Sequence, residues 1–161
     1  MRVKKRRTSV LSTEATRIVN DVIACLRIPY NQQFYAQNQV MTRHYDDFKT
    51  KTVCGTEGCL AGWMLFVSKP RIHKAIERAL LAPRQTHKTM NIISQYDILK
   101  LSAETMTLKN GQPAYTDNLF AGSGEAWPNP FATMWSAANG DKAKEARVAI
   151  KRLEHFKFTG E

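Results

Sequence analysis

The chain is poor in the residues that define disulfide-stapled or membrane-spanning domains. It has only three cysteines, Cys25, Cys54 and Cys59. They cannot all pair within one chain, and a Cys54–Cys59 bridge would need both residues to leave helical geometry, so a disulfide framework is not indicated and a reducing cytoplasm is the expected setting. No apolar run approaches the roughly 20 residues that a spanning helix needs, so no membrane partner is expected. The basic start is followed by Thr8, Ser9, Ser12, Thr13 and Glu14 rather than an apolar segment, which argues against a signal peptide. Also missing are a Gly-rich phosphate loop, a His-Glu-x-x-His pair and a nucleophile elbow, so the common phosphate-binding, zinc-peptidase and hydrolase signatures do not apply. Internal repeats and low-complexity tracts are absent too. Acid is scarce, with 14 Asp and Glu against 24 Lys and Arg, a formal charge of +10.

With 43% hydrophobic and 24% charged residues over 161 positions, the chain can bury about two-thirds of its unfolded surface in a single domain. It needs neither metal nor cofactor to do so. The excess charge is concentrated at the start: Arg2, Lys4, Lys5, Arg6 and Arg7 precede the first acid, Glu14, and removing those five from 24 leaves 19 basic residues against 14 acidic ones. Residues 1–11 read as a flexible basic arm and residues 12–161 as one helical domain. Such an arm is ordinarily a solvated tail. Its functional version contacts phosphates, releasing counterions so that affinity falls with salt. No groove-reading motif accompanies it, so sequence-specific recognition is not indicated.

Periodicity predicts a mainly α, compact bundle of five to seven helices. The first begins at Ser12 or Thr13, carries Ala15, Ile18, Val19, Val22, Ile23 and Leu26 inward and ends before Pro29. Residues 30–40 fit either a helix or an irregular segment. A deeply buried helix runs from Glu57 to Ser68 with Thr56 as its cap, and Pro70 opens another whose stripe is Ile72, Ala75, Ile76, Ala79 and Leu80. A further helix passes through Met90, Ile93 and Leu101, and Ser102 with Glu104 is read as the start of a short turn. Turn residues Lys109-Asn110-Gly111-Gln112-Pro113 and the joint Gly122-Ser123-Gly124 make residues 106–126 a long surface loop or small hairpin, expected to be the most mobile element. Phe131, Met134 and Trp135 lie on a short helix broken at Asn139-Gly140. The last helix is capped by Asp141, turns Ala143, Ala146, Ala149, Ile150, Leu153 and Phe156 inward, and stops near Gly160. Its expected outer face carries Lys142, Lys144, Arg147, Lys151 and Arg152. That row is ordinarily a wet helix surface, and its functional reading extends the basic footprint of the arm.

Unusual residue types converge at Cys54-Gly55-Thr56-Glu57-Gly58-Cys59-Leu60-Ala61-Gly62-Trp63. Structurally, Gly55 permits a sharp turn, Gly58 and Gly62 permit close backbone approach one turn apart, and Cys59 with Trp63 fills the seam. Chemically, a thiol at a helix start feels unpaired amides that lower its pKa, which would make Cys54 a nucleophile, with His44 as a speculative base. Metal binding by Cys54, Cys59 and His44 or His73 is a third reading, but Cys-x4-Cys is at the edge of zinc spacing and no second pair exists. Asp46-Asp47 and His87 read as surface groups, and Trp127 and Trp135 as core anchors rather than a base-stacking platform.

The pattern Cys-Gly-Thr-x-x-Cys-x-Ala-Gly-Trp, with Trp127-Pro128-x-x-Phe131 and Arg152-Leu153-Glu154-His155-Phe156-x-x-Thr159-Gly160 downstream, resembles a group of small bacterial and phage proteins that has no assigned activity. The resemblance implies a compact, mainly helical domain and no particular reaction. Cys54-Gly55 ahead of a helix is also similar to the Cys-Gly-x-x-Cys-Leu-Ala start of bacteriocin-processing cysteine peptidases, which implies attack by the first cysteine. The thiols here are one residue further apart, Phe48 stands where that family has glutamine, and His155 has only six residues after it. The expectation is therefore a non-enzymatic binding protein of accessory or counter-defence type. It would dock on a host protein or an anionic partner, nucleic acid or nucleotide, through the arm and through Lys144, Arg147 and Lys151. A Cys54-dependent hydrolase is the alternative.

Overall fold

A computed structural model describes residues 8–28, 60–72, 100–117, 119–120, 127–138 and 140–161. Helix α1 spans Thr13–Arg27. The Ser12 hydroxyl accepts from the amide of Ala15 and also from the Thr107 hydroxyl, at 3.2 and 2.9 Å, satisfying one of the free amides of the first turn. Glu14 in the first turn and Arg27 in the last oppose the helix dipole favourably. All six residues of the predicted stripe, Ala15, Ile18, Val19, Val22, Ile23 and Leu26, are buried. The helix stops because Ile28 is extended, at φ −78° and ψ 124°, the conformation favoured before a proline.

Helix α2 spans Leu60–Ser68, and its first six residues are all buried. Gly62 and Trp63 lie in this stretch; the indole N–H of Trp63 is buried without an acceptor. Another segment anchors the helix, since the buried Ser102 hydroxyl donates to the Ala61 carbonyl at 2.7 Å. Ser68 donates back to the Met64 carbonyl, and the chain turns helical again at residues 70–72, as Pro70 predicts. Thr56 and residues 57–59 of the predicted helix lie outside the described residues, as do Ala75, Ile76, Ala79 and Leu80. Ser102 does not start a turn: residues 100–103 are helical, and Glu104 and Thr105 close the end.

Residues 107–113 fold into a tight hairpin-like turn. The amide of Leu108 donates to the Gln112 carbonyl, Asn110 accepts from the Gln112 amide, and Gly111 takes φ +82°, a left-handed conformation that suits glycine. Instead of lying loosely on the surface, the turn pairs with residues 10–12. Ser12 N–H donates to the Thr107 carbonyl and Lys109 N–H to the Val10 carbonyl, at 2.8 and 3.0 Å. Met106, Ala114, Thr116, Leu119 and Phe120 are buried, so this part of the predicted loop or hairpin contributes to the core. The Gly122-Ser123-Gly124 joint lies outside the described residues. The basic arm, expected over residues 1–11, stops short of that boundary. Leu11 is fully buried and Val10 N–H donates to the Lys157 carbonyl, so residues 9–11 belong to the folded body.

Helix α3 spans Phe131–Ala138. It is entered through a cis Asn129–Pro130 peptide and by Trp127, which is buried and donates its indole N–H to the Leu119 carbonyl. Gly140, at φ +79°, turns the chain back, and Asp141 caps helix α4, Lys142–Thr159, by accepting from the Lys144 amide at 3.0 Å. Helix α4 packs against both α1 and α3, and α1 against α2. One continuous core joins these four helices and the hairpin. The chain is mainly helical, with no strand beyond two isolated bridges among the described residues.

On α4 the expected inward residues Ala146, Ala149, Leu153 and Phe156 are buried, whereas Ala143 and Ile150 are half-buried. Arg152, expected on the outer face, is fully buried. The helix ends at Gly160, left-handed at φ +80°, whose amide donates to the Phe156 carbonyl. A Cβ at Gly160 would meet Leu108 Cδ2 at 2.9 Å, while one at Gly140, of nearly the same φ, would meet nothing within 4 Å. Gly140→Ala is expected to cost about 1 kcal/mol from backbone strain, and Gly160→Ala at least about 2 kcal/mol because the collision adds to it. Urea melts of the two variants check this, and equal losses would mean that Leu108 yields freely. The Asp141 carboxyl is held below its ordinary value, mainly by the Lys144 amide and then by the Lys144 side chain. Its contribution is therefore complete above the ordinary carboxylate pKa of about 4 and is lost as pH falls through the lower folded value. Asp141→Asn keeps the cap without the titration. Wild type should lose more stability than this variant between about pH 5 and about pH 2 in thermal melts.

Candidate functional site

Of the basic residues marked by the sequence, Lys144, Arg147 and Lys151 are exposed on one side of α4. Arg2, Lys4, Lys5, Arg6 and Arg7 lie outside the described residues. So do Cys54, Gly55, Thr56 and Cys59, together with His44, His73, His87, Asp46 and Asp47. From the decapeptide, Leu60 to Trp63 are buried in α2, and Trp127 is buried beside α3. Among the described residues, no three His, Cys, Asp or Glu side chains gather where they could hold a metal ion.

The three exposed cations do meet something. Because only a short connection separates α3 from α4, α4 turns back along it, and the seam opens into a groove of about 310 Å³. Met134, Ala137 and Ala138 line it from α3, and Val148 from α4. Lys144, Arg147 and Lys151 complete the lining, recurring three and four residues apart and so sharing a face. Helix α3, Phe-Ala-Thr-Met-Trp-Ser-Ala-Ala, carries no charged residue, so the wall opposite the cations is neutral. Lys144 is paired with Asp141 at 3.2 Å. The other acid in the first turn, Glu145, is buried and pairs with Lys142 at 3.3 Å. Arg147 and Lys151 make no ion pair among the described residues.

Further along the same seam, Phe131 lies between two α4 side chains. Its ring centroid is 5.3 Å from that of His155 and 5.5 Å from the guanidinium carbon of Arg152. Arg152 Nη1 donates to the Glu161 carbonyl at 2.9 Å, while Nε and Nη2 are buried with no acceptor. Burial pushes this guanidinium below its ordinary value and Glu161 acts in the opposite direction. The group remains charged at any working pH. A charge so placed is held by one carbonyl and one aromatic face.

Chemically the groove can attract and hold, and little else. It is lined by aliphatic carbon and by cationic side chains, with no carboxylate, imidazole or thiol among the described lining residues. Sequence reasoning marked the cations but missed the cavity they border. The available signal was the three-residue break Asn139-Gly140-Asp141, which forces two successive helices to lie side by side. Comparison with protein-family models, with curated proteins and with solved structures finds no match.

Replacing Arg152 by methionine keeps much of the volume and removes a buried charge whose partners are incomplete. Replacing whole buried ion pairs by apolar side chains is often neutral or stabilises by about 1–4 kcal/mol, and here the bond lost is to the carbonyl of exposed Glu161. Arg152→Met is therefore expected to melt at or above the wild-type temperature. A melting temperature lowered by several degrees would show instead that the carbonyl bond and the Phe131 contact outweigh the cost of burial.

Proposed function

We propose that this is a small non-enzymatic binding protein that docks on an anionic partner through the α3/α4 groove, with the basic arm as a second contact. The reading is carried by one observation: Lys144, Arg147 and Lys151 border a groove whose opposite wall has no charge, and two of the three make no ion pair among the described residues. Unneutralised cations along a concavity raise the local concentration of anions and speed their encounter. The apolar floor supplies hydrophobic contact once the anion is in place. An accessory or counter-defence setting rests on the resemblance in the cysteine and tryptophan blocks alone.

The test compares Lys144→Ala/Arg147→Ala/Lys151→Ala with a variant carrying alanine at Arg2, Lys4, Lys5, Arg6 and Arg7. Fluorescence anisotropy reads binding to labelled polyglutamate and to a labelled single-stranded oligonucleotide. The groove variant is expected to weaken binding by at least about tenfold and to flatten its salt dependence. Unchanged binding by the groove variant, or loss only in the arm variant, would remove the groove from the interaction.

A further inference from the structure

We infer that the occupant of the groove is an acidic amphipathic helix of a partner protein, which rests on the anion-docking reading and specifies it. The first argument comes from the floor. Met134, Ala137, Ala138 and Val148 present hydrocarbon and no aromatic face. Single strands of nucleic acid gain affinity by stacking bases on aromatic rings, and the two rings nearest on α3 are already engaged. Phe131 is buried against His155, and Trp135 stands edge-on to Trp127 at 5.1 Å. A duplex is held through its phosphates and gains nothing from a Met and Val floor. Aliphatic side chains of a partner helix use that floor directly, and methionine adapts its shape to them.

The second argument is spacing. Lys144, Arg147 and Lys151 stand at i, i+3 and i+7, about 10.5 Å from first to last along the axis. A helix lying along α4 has the same rise, so carboxylates at i, i+3 or i+4, and i+7 reach all three cations while its aliphatic residues face the seam. An extended chain repeats a face every 6.6 Å or so. That matches Arg147 to Lys151, roughly 6 Å, and misses Lys144 to Arg147, roughly 4.5 Å.

The third argument is charge and enclosure. A formal charge of +10 disfavours a second copy as occupant, because two basic surfaces repel. The cavity is an open trough at the small end of the range for ligand sites, about 300–1,000 Å³, and such sites enclose most of a small ligand. A row of partner side chains suits it better, with a third helix seated over the seam of two at the ordinary interaxial distance of 8–10 Å or thereabouts.

The probe is a fluorescein-labelled, stapled peptide of about five helical turns, with leucine along one face and glutamate flanking it, titrated into the full chain. Two control peptides replace leucine by glutamine or glutamate by glutamine, and labelled single-stranded and duplex oligonucleotides form the other arm. The leucine–glutamate peptide is expected to bind at least about tenfold more tightly than either control, and Arg147→Glu/Lys151→Glu to weaken it by a similar factor. Circular dichroism and melting of that variant establish that it folds; if it does not, the control peptides alone decide. Equal binding of the leucine-to-glutamine peptide would overturn the inference, because the floor would then be unused. Oligonucleotide binding that the charge reversal abolishes, with no peptide binding, would overturn the helix and leave the anionic reading standing. If neither peptide nor oligonucleotide binds, both fall.

Discussion

The position of α4 depends on the place where its last turn meets two other segments. Gly160 leaves the helix in a left-handed conformation, gives its amide to Phe156 and accepts from the Tyr115 amide. It has no side chain, so Leu108 and Val10 can lie against it. One turn earlier, the Lys157 carbonyl accepts from both the Val10 amide and the Ser9 hydroxyl. Backbone bonds thus tie residues 9–12, the hairpin at 107–113 and the end of α4 into one joint. Since Ser12, the cap of α1, follows Leu11, the same joint sets where α1 starts relative to α4, and these are the two longest of the named helices.

Once α4 is fixed, its faces are divided between neighbours. One face enters the core with α1, contributing Ala146, Ala149, Leu153 and Phe156. Another meets α3, which has 8 residues against the 18 of α4. A short neutral helix laid on a long cationic one cannot cover it, and the uncovered seam is the groove. The unusual burial of Arg152 follows from the same division. It stands at the edge between the core face and the α3 face, and Phe131 closes over it.

Much of this was legible in the sequence, and the failures share a cause. The α1 stripe with Ser12, the break at Gly140, the cap at Asp141 and the stop at Gly160 are local signals, each carried by residues within a few positions of one another, and all appear as expected. The pairing of Val10 with Lys109 and of Ser12 with Thr107 joins segments almost a hundred residues apart, and no local pattern announces it. For that reason residues 9–11 read as part of an arm, and residues 106–126 could be read as a loop or a hairpin without their partner segment being visible. Arg152 was misplaced because its charge suggested water, although it is only one residue from Leu153 and three from Ala149. Of the candidate site, the three cations were legible and the cavity was not, since α3 supplies most of its apolar lining.

The division between rim and floor has a consequence for how such a site selects. Exposed cations act over a distance set by the Debye length, about 8 Å at physiological salt. They hasten encounter with any acidic surface but discriminate poorly among acidic surfaces. Their individual contributions to affinity are small, because water and counterions screen them. Buried hydrocarbon contributes in proportion to the area removed from water, and only where shapes match. For the proposed acidic partner, Lys144, Arg147 and Lys151 would govern how fast it arrives, while Met134, Ala138 and Val148 would govern whether it stays.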